Sequence, residues 1–289
     1  MNGKYVLSNF LILILVSGLY SQAADTVGQK NGRMGSDLAQ QARNPTAALT
    51  MMQIVINHNP SFYNLEDADQ TRITVMPIIP FKTGKLQHIV RITLPYVAAG
   101  PDWGILAEQD YGTIPPPNYV PTADKTGLGD MSLFDLLIFP APWKGGQIAA
   151  GLSAILPTAT DPALGTEKWS VGPAFGGLVQ SGKLLAGGII LANFSVAGNS
   201  DRDDVRSMTI QPFGSYGLDG GWSLELSEMM CSYDFNSSKW AMIPLGGRIG
   251  KLTQFGNLPV RFYADAEYNF ADSGVSPKWT FRFAIVPLL

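Results

Sequence analysis

Val260-Arg261-Phe262-Tyr263-Ala264-Asp265-Ala266-Glu267-Tyr268-Asn269-Phe270 carries two opposed surfaces in one run. Val260, Phe262, Ala264, Ala266, Tyr268 and Phe270 fall on one side of a period of two, and Arg261, Tyr263, Asp265, Glu267 and Asn269 fall on the other. That period is a β-strand's, because successive side chains point to opposite faces. In water the charged side would face out and the apolar side in. In a barrel embedded in lipid the assignment inverts, with apolar residues outward and charged ones toward the lumen.

The neighbouring runs decide between the two. Ile73, Val75, Ile79 and Phe81 alternate with Arg72, Thr74 and Met76; Val90, Ile92, Leu94 and Tyr96 alternate with Arg91 and Thr93. Trp222, Leu224 and Leu226 alternate with Ser223, Glu225 and Ser227; Trp279, Phe281, Phe283 and Ile285 alternate with Thr280, Arg282 and Ala284. Within 146–157 the inner set is small: Ala149, Gly151 and Ser153. About twelve such runs fill the chain, over 51–58, 70–81, 86–97, 130–140, 146–157, 169–180, 183–195, 205–218, 221–232, 239–251, 258–270 and 278–288. Parity is poorly resolved in 183–195 and 239–251, where both faces carry apolar residues or glycine. Most runs are near the ~9–11 residues that cross a membrane when tilted.

The gaps sort by parity. Those after Asn59, Val97, Pro157, Val196, Tyr233 and Phe270 are mostly long and polar; those at Lys82–Lys85, Ala141–Gly145, Ser181–Gly182, Asp219–Gly220 and Leu252–Asn257 are short. Short periplasmic turns and longer outer loops are what a transmembrane barrel requires. Aromatics follow the same division. Phe81, Phe139, Tyr216 and Trp222 lie beside short turns, and Tyr96, Trp169, Phe194, Trp240, Phe270 and Trp279 beside the longer loops, as two interfacial girdles would.

Composition agrees. The chain is 46% apolar and 15% charged, against roughly 25% charged in soluble domains. Residues 1–23 read as a signal peptide: Lys4, an apolar run Phe10–Val16, and Ser21-Gln22-Ala23-Ala24 as the cleavage region. No later stretch approaches the ~18 consecutive apolar residues of a spanning helix. A net charge of −3 suggests no nucleic-acid partner, and Cys231, the single cysteine, excludes an intrachain disulfide. Residues 24–50 are more polar, with a short helix expected over Asp37–Arg43 between Ser36 and Pro45. They form either a periplasmic leader or a segment that folds into the barrel mouth. The barrel itself is expected over 51–289.

Prolines at 77, 95, 173, 212 and 244 fall inside expected strands, where bulges or missing ladder bonds must absorb them. The longest loop, Ala98–Gly127, carries Pro115-Pro116-Pro117 and either folds inward or stays on the surface. Charge in the long loops is mainly acidic, including Glu66, Asp67, Asp69, Asp201, Asp203 and Asp204. Plain solvation is the favoured reading over divalent cations bridging lipopolysaccharide. Asp201-x-Asp203-Asp204 lacks the following glycine and terminal glutamate of an EF-hand loop. No metal or cofactor is expected. His58 and His88 are the only histidines, and neither has a serine partner evident in sequence, so no catalytic residue is assigned.

Seven residues are expected to line the lumen: Arg72, Arg91, Arg261, Arg282, Glu225, Asp265 and Glu267. Closure sets the first and last strands side by side, so the arginines should share one sector of the inner wall. They form either a salt-bridged network filling a narrow barrel or a charged ladder that guides a solute. Twelve strands lie between the eight that fill with side chains and the sixteen or so that leave a wide channel, so a narrow or plugged conduit is expected.

Several motifs resemble a bacterial group of outer-membrane proteins called neuromedin U-like, grouped with meta-pathway phenol-degradation transporters. They include Gln41-Ala42-Arg43-Asn44-Pro45, Pro77-Ile78-Ile79-Pro80-Phe81, Gly127-Leu128-Gly129-Asp130, Leu156-Pro157-Thr158-Ala159-Thr160-Asp161, Gln211-Pro212-Phe213 and Pro244-Leu245-Gly246-Gly247. The resemblance implies an outer-membrane β-barrel with a transport role, and accounts for several of the in-strand prolines. The chain ends Pro287-Leu288-Leu289 rather than in the usual aromatic, though Phe281 and Phe283 keep the alternation.

The sequence thus predicts a signal peptide followed by an all-β, up-and-down antiparallel barrel of about 12 strands in a Gram-negative outer membrane. Expected partners are lipid and lipopolysaccharide, the barrel assembly machinery and a small solute, hydrophobic or aromatic solutes among them. A closed structural or surface-binding barrel is the alternative function, a barrel hydrolase a distant third, and a soluble β-sandwich the rival fold.

Overall fold

The computed structural model describes residues 38–100 and 125–289. The signal-peptide reading of 1–23 and most of the 98–127 loop lie outside the described residues. Twelve strands run β1 Met51–Asn59, β2 Gln70–Thr83, β3 Leu86–Ala99, β4 Met131–Pro140, β5 Gly146–Leu156, β6 Lys168–Ser181, β7 Leu184–Gly198 and β8 Arg206–Gly217. β9 is in two pieces, Trp222–Leu226 and Cys231–Asp234; β10 is in two, Lys239–Met242 and Pro244–Phe255; β11 is Leu258–Asn269 and β12 Trp279–Pro287. Each strand pairs antiparallel with the next, and β12 closes on β1 with Val55 opposite Ala284. The result is a closed, up-and-down, 12-stranded barrel.

Short connections gather at one end. Three are two-residue hairpins, Gly84-Lys85, Gly182-Lys183 and Gly256-Asn257, whose glycines hold φ of 62°, 54° and 59°. The right-handed twist of paired strands favours turns with positive φ there, which glycine adopts without a Cβ clash. Two corrections to the expected spans arise. β10 runs on to Phe255 through the pairs Thr253–Val260, Gln254–Pro259 and Phe255–Leu258, so the gap expected at Leu252–Asn257 is only Gly256-Asn257. The connection after β9, expected to be long, closes tightly at Phe235–Ser238, held by Asn236 and Ser237 amides donating to the Asp234 carboxylate at 3.0 Å each.

The five prolines expected inside strands sit where the ladder lapses on one side; Pro80 and Pro259, also within strands, are opposite Ile89 and Gln254. Pairing of β2 with β3 skips from Val75–Leu94 to Ile78–Arg91 at Pro77. That of β6 with β7 skips from Val171–Phe194 to Ala174–Leu191 at Pro173. Pro95 lies past the last β3–β4 pair, Thr93–Ser132. Pro244 follows the break in β10 at Ile243. Pro212 pairs with Gly188 of β7, but across from it β9 is interrupted at Ser227–Met230. A residue without an N–H costs nothing where no partner waits. Within that interruption Met229 adopts φ 44°, and its amide turns to Glu267 Oε2 at 3.2 Å.

The outward face is apolar around the barrel: Leu152 is 70% exposed, Phe175 54% and Leu224 52%. Many exposed aromatics lie in two bands, Phe81, Trp143, Tyr216, Trp222 and Phe255 at the short-turn end, and Tyr96, Trp169, Phe194, Trp240, Phe270 and Trp279 at the other, with Phe175, Phe281 and Phe283 between them. A belt this extensive is stable only against lipid. Leu152→Lys should therefore destabilise the barrel by about 2–4 kcal/mol when refolded into bilayers, the cost of a cation in the hydrocarbon region. A soluble barrel would tolerate it, and unchanged vesicle refolding would remove the membrane assignment of this face.

The N-terminal segment enters from the short-turn end. After a helical turn over 38–41, Ala42 is buried with Met51, Ile78, Tyr263 and Val286, and Leu38 and Leu49 pack on the same cluster. The helix expected over Asp37–Arg43 is thus present in shortened form. Arg43 donates to the Lys183 carbonyl and Ser215 Oγ at 3.3 Å each, Gln40 to the Gly182 carbonyl at 3.2 Å, and Thr46 to Gln147. Gln87 donates to the Thr46 carbonyl at 3.3 Å. Residues 38–50 thereby lie across the mouth that the short turns frame.

Candidate functional site

The lumen is divided. A cavity of about 150 Å³ lies beneath, next to Ala42–Thr46, and one of about 210 Å³ above it toward the long loops. Arg91, Phe134 and Glu228 line both, so they form the layer where the two meet. Arg91 stands opposite Phe134 in the β3–β4 ladder, its guanidinium carbon 4.6 Å from the ring centroid. At that distance the cation sits on the negative face of the ring.

The walls differ in chemistry. One is an ionic network carried by β9–β12. Arg261 donates to Glu225 at 2.6 Å, and Arg248 to Asp265 at 2.8 Å while stacked 3.8 Å over Tyr263. Arg282 is the hub: it donates to Asp265 at 3.0 Å, to Asn57 at 2.9 Å and to Glu267, and lies 3.5 Å from Glu228. Arg261, Asp265, Glu267 and Arg282 are buried and Arg248, Glu225 and Glu228 half-buried, each ion-paired, so the network is a set of compensated charges rather than a row of free ones. The facing wall is apolar: Phe134, Leu136, Ala149, Ala174 and Ile189 form one cluster with Ile138, Leu191 and Phe213 packed on it.

The seven residues singled out from sequence occupy distinct places. Arg91, Arg261 and Glu225 line the lower cavity; Arg72, Arg91, Arg282 and Glu267 line the upper. Asp265 lies beneath the arginines and lines neither. Sequence reasoning missed Glu228, Arg248 and Phe134. Arg248 has the parity of the lumen set but was masked by its glycine neighbours. Glu228 is off the strand period, because the interruption of β9 delivers it inward. The histidines face outward. His58 Nδ1 lies 3.0 Å from Thr71 Oγ1. His88 stacks on Phe81 with 4.5 Å between centroids and bonds Asp135 at 3.0 Å. Both pairs lie outside the cavities, and the partners are a threonine and a carboxylate rather than a serine nucleophile.

The outer rim explains two of the motifs. Asp130 accepts from Ala159 N at 3.1 Å, Thr166 N at 2.7 Å and Thr166 Oγ1 at 2.8 Å, tying the end of one long loop to the next. Asp161 accepts from Ala163 N at 2.9 Å and from Lys125 Nζ at 3.1 Å, and these two partners hold its carboxyl below the usual carboxylate range. A carboxyl lowered in the folded state contributes stability that is present above its unfolded pKa and lost as pH falls through the folded one. Protection of the Ala163 amide from hydrogen exchange should thus hold at about pH 5 and fall away below about pH 4. In Asp161→Asn that pH step should vanish; if it stays, the loop is held by something else.

No family model matches the chain, and no curated protein does. Among solved structures it is similar to the COG4313 outer membrane channel from Pseudomonas putida F1, at 15% identity over 84% of this chain and 96% of that one, with a TM-score of 0.56. At that identity the likeness shows the fold: a closed, outer-membrane type of β-barrel. Weaker similarities are to outer membrane phospholipase A from Escherichia coli (11% identity, 82% and 90% covered, TM-score 0.42) and to a Pseudomonas aeruginosa FadL homologue (10%, 86% and 93%, TM-score 0.39).

Proposed function

We propose that this barrel is an outer-membrane channel for passive passage of a small solute with an apolar part. The observation that carries the reading is the two-sided lumen: stacked cavities with one apolar and one ionic wall, meeting at Arg91, Phe134 and Glu228. Such a lumen offers an amphipathic solute a partner on each side, where a lumen packed for strength alone would leave no cavity. Residues 38–50 act as the gate at the periplasmic mouth. The likeness to a solved outer membrane channel supports the location and the role, and the motifs that resemble the neuromedin U-like, meta-pathway group point the same way.

The network around Arg282 favours a second reading, a closed structural barrel stiffened by its own charges. Current through planar bilayers separates them, measured on the intact chain and on one lacking residues 24–50. Discrete conductance steps in either form support passage. A folded, heat-modifiable barrel that conducts in neither form is the structural one.

A further inference from the structure

Building on the channel reading, we infer that Arg91 and the apolar wall beneath it form a subsite for a monocarboxylate carrying one ring-sized apolar group. Three observations converge. The first is the state of the guanidinium. Arg248, Arg261 and Arg282 each bond a carboxylate, yet no carboxylate among the described residues lies within 4.0 Å of Arg91. Its Nε is shut off from solvent and has no hydrogen-bond partner. Glu228, in the same layer, compensates that buried charge only at a distance, and a bound anion in direct contact would relieve the remaining cost.

The second is the size and lining of the space below. The lower cavity of about 150 Å³ matches a space known to take one benzene ring when lined by aliphatic and aromatic side chains. Here one side of the lining is Ile78, Ile89, Leu136, Leu178, Ile189 and Phe213, which would take the ring, while the other side carries the paired Glu225, Arg248 and Arg261. The third is the order of the parts. Arg91 stands at the top of that cavity and also lines the upper one, whose walls carry Asn57, Thr74, Ser153 and Asn193. A solute entering from the polar side would meet the guanidinium with its carboxylate and place its ring below. Glu228 shares the layer, but its carboxylate is turned to Arg282. Anions of higher charge would face Glu228, and no second cation among the described residues stands free to meet them, which selects for a single charge.

Benzoate and its uncharged counterpart benzamide are the probes, with dissociation constants read by saturation-transfer NMR on the detergent-solubilised full chain. The wild type should bind benzoate about tenfold or more tightly than benzamide, the scale of one charge-assisted hydrogen-bonded pair. Arg91→Gln should bring the two to equal affinity, and Arg91→Lys should keep part of the preference. Because Arg91 holds no ion pair, Arg91→Gln should fold. Should it not, the wild type decides alone: benzoate must reduce ion current in planar bilayers at concentrations where benzamide does not.

Equal affinity for the two probes in the wild type overturns the inference, as does a benzoate preference that survives in Arg91→Gln. The channel reading fails separately. Conductance without benzoate preference removes only the subsite. Benzoate preference without conductance in either the intact or the truncated chain keeps the subsite and removes passage.

Discussion

Arg282→Ala should cost the barrel about 3–5 kcal/mol of unfolding free energy, the penalty of stripping the partner from buried charges. Arg282 is itself 8% exposed, and it is the shared partner of Asp265, Glu267 and Glu228, with Asn57 as a fourth contact. Removing it leaves three carboxylates facing one another. Arg248 still reaches Asp265, but Glu267 keeps only the Met229 amide. Urea-induced unfolding from lipid vesicles, followed by tryptophan emission, measures the loss. The double change Arg282→Met, Glu267→Gln should recover most of it, because it removes charge and counter-charge together and leaves Asp265 to Arg248. A loss below about 1 kcal/mol for Arg282→Ala would mean that water screens the network, contrary to its burial.

Deleting residues 24–50 should raise single-channel conductance about tenfold, since the narrowest part of a pore sets its resistance. The segment's hold is modest. Four polar side chains, Gln40, Arg43, Asn44 and Thr46, bond to groups on β5–β8 and their turns. Ala42, Leu38 and Leu49 add an apolar contact at the side nearest β1 and β12. Arg43→Ala alone should give brief openings of the size seen in the truncated chain, because it releases the contacts to Lys183 and Ser215 while leaving the apolar seat. Equal conductance in intact and truncated forms would show that the Arg91 layer, not the mouth, limits flow.

Most of the fold was legible because a lipid-embedded barrel writes its two faces into alternate residues. Val260–Phe270 shows it most plainly, and the same parity placed Arg72, Arg91, Arg261, Arg282, Glu225 and Glu267 on the cavities. Parity was blind where both faces are alike. The inner side of β7 carries Leu185 and Ile189, so its sequence reads as apolar throughout. An apolar inner wall is invisible to any pattern that assumes a polar lumen. Glu228 was hidden for the opposite reason. It lies in a break of the strand, and its inward course depends on Met229 at positive φ and on Glu267 across the gap. The outward pairing of His88 with Asp135 joins neighbouring strands, and no single run announces it.

The C-terminal residue meets the start of the first strand. The Leu289 amide donates to the Thr50 carbonyl at 2.9 Å, beside the seam where β12 joins β1. Residues 38–50 precede every strand in the order of export, yet the groups they bind lie on β3, β5, β6 and β8 and in the turn before β7. Their seat does not exist until those strands have been laid down, and it is complete only when the seam has zipped. A half-built barrel therefore offers that segment no complete seat, and the last step of strand pairing is also the one that finishes it.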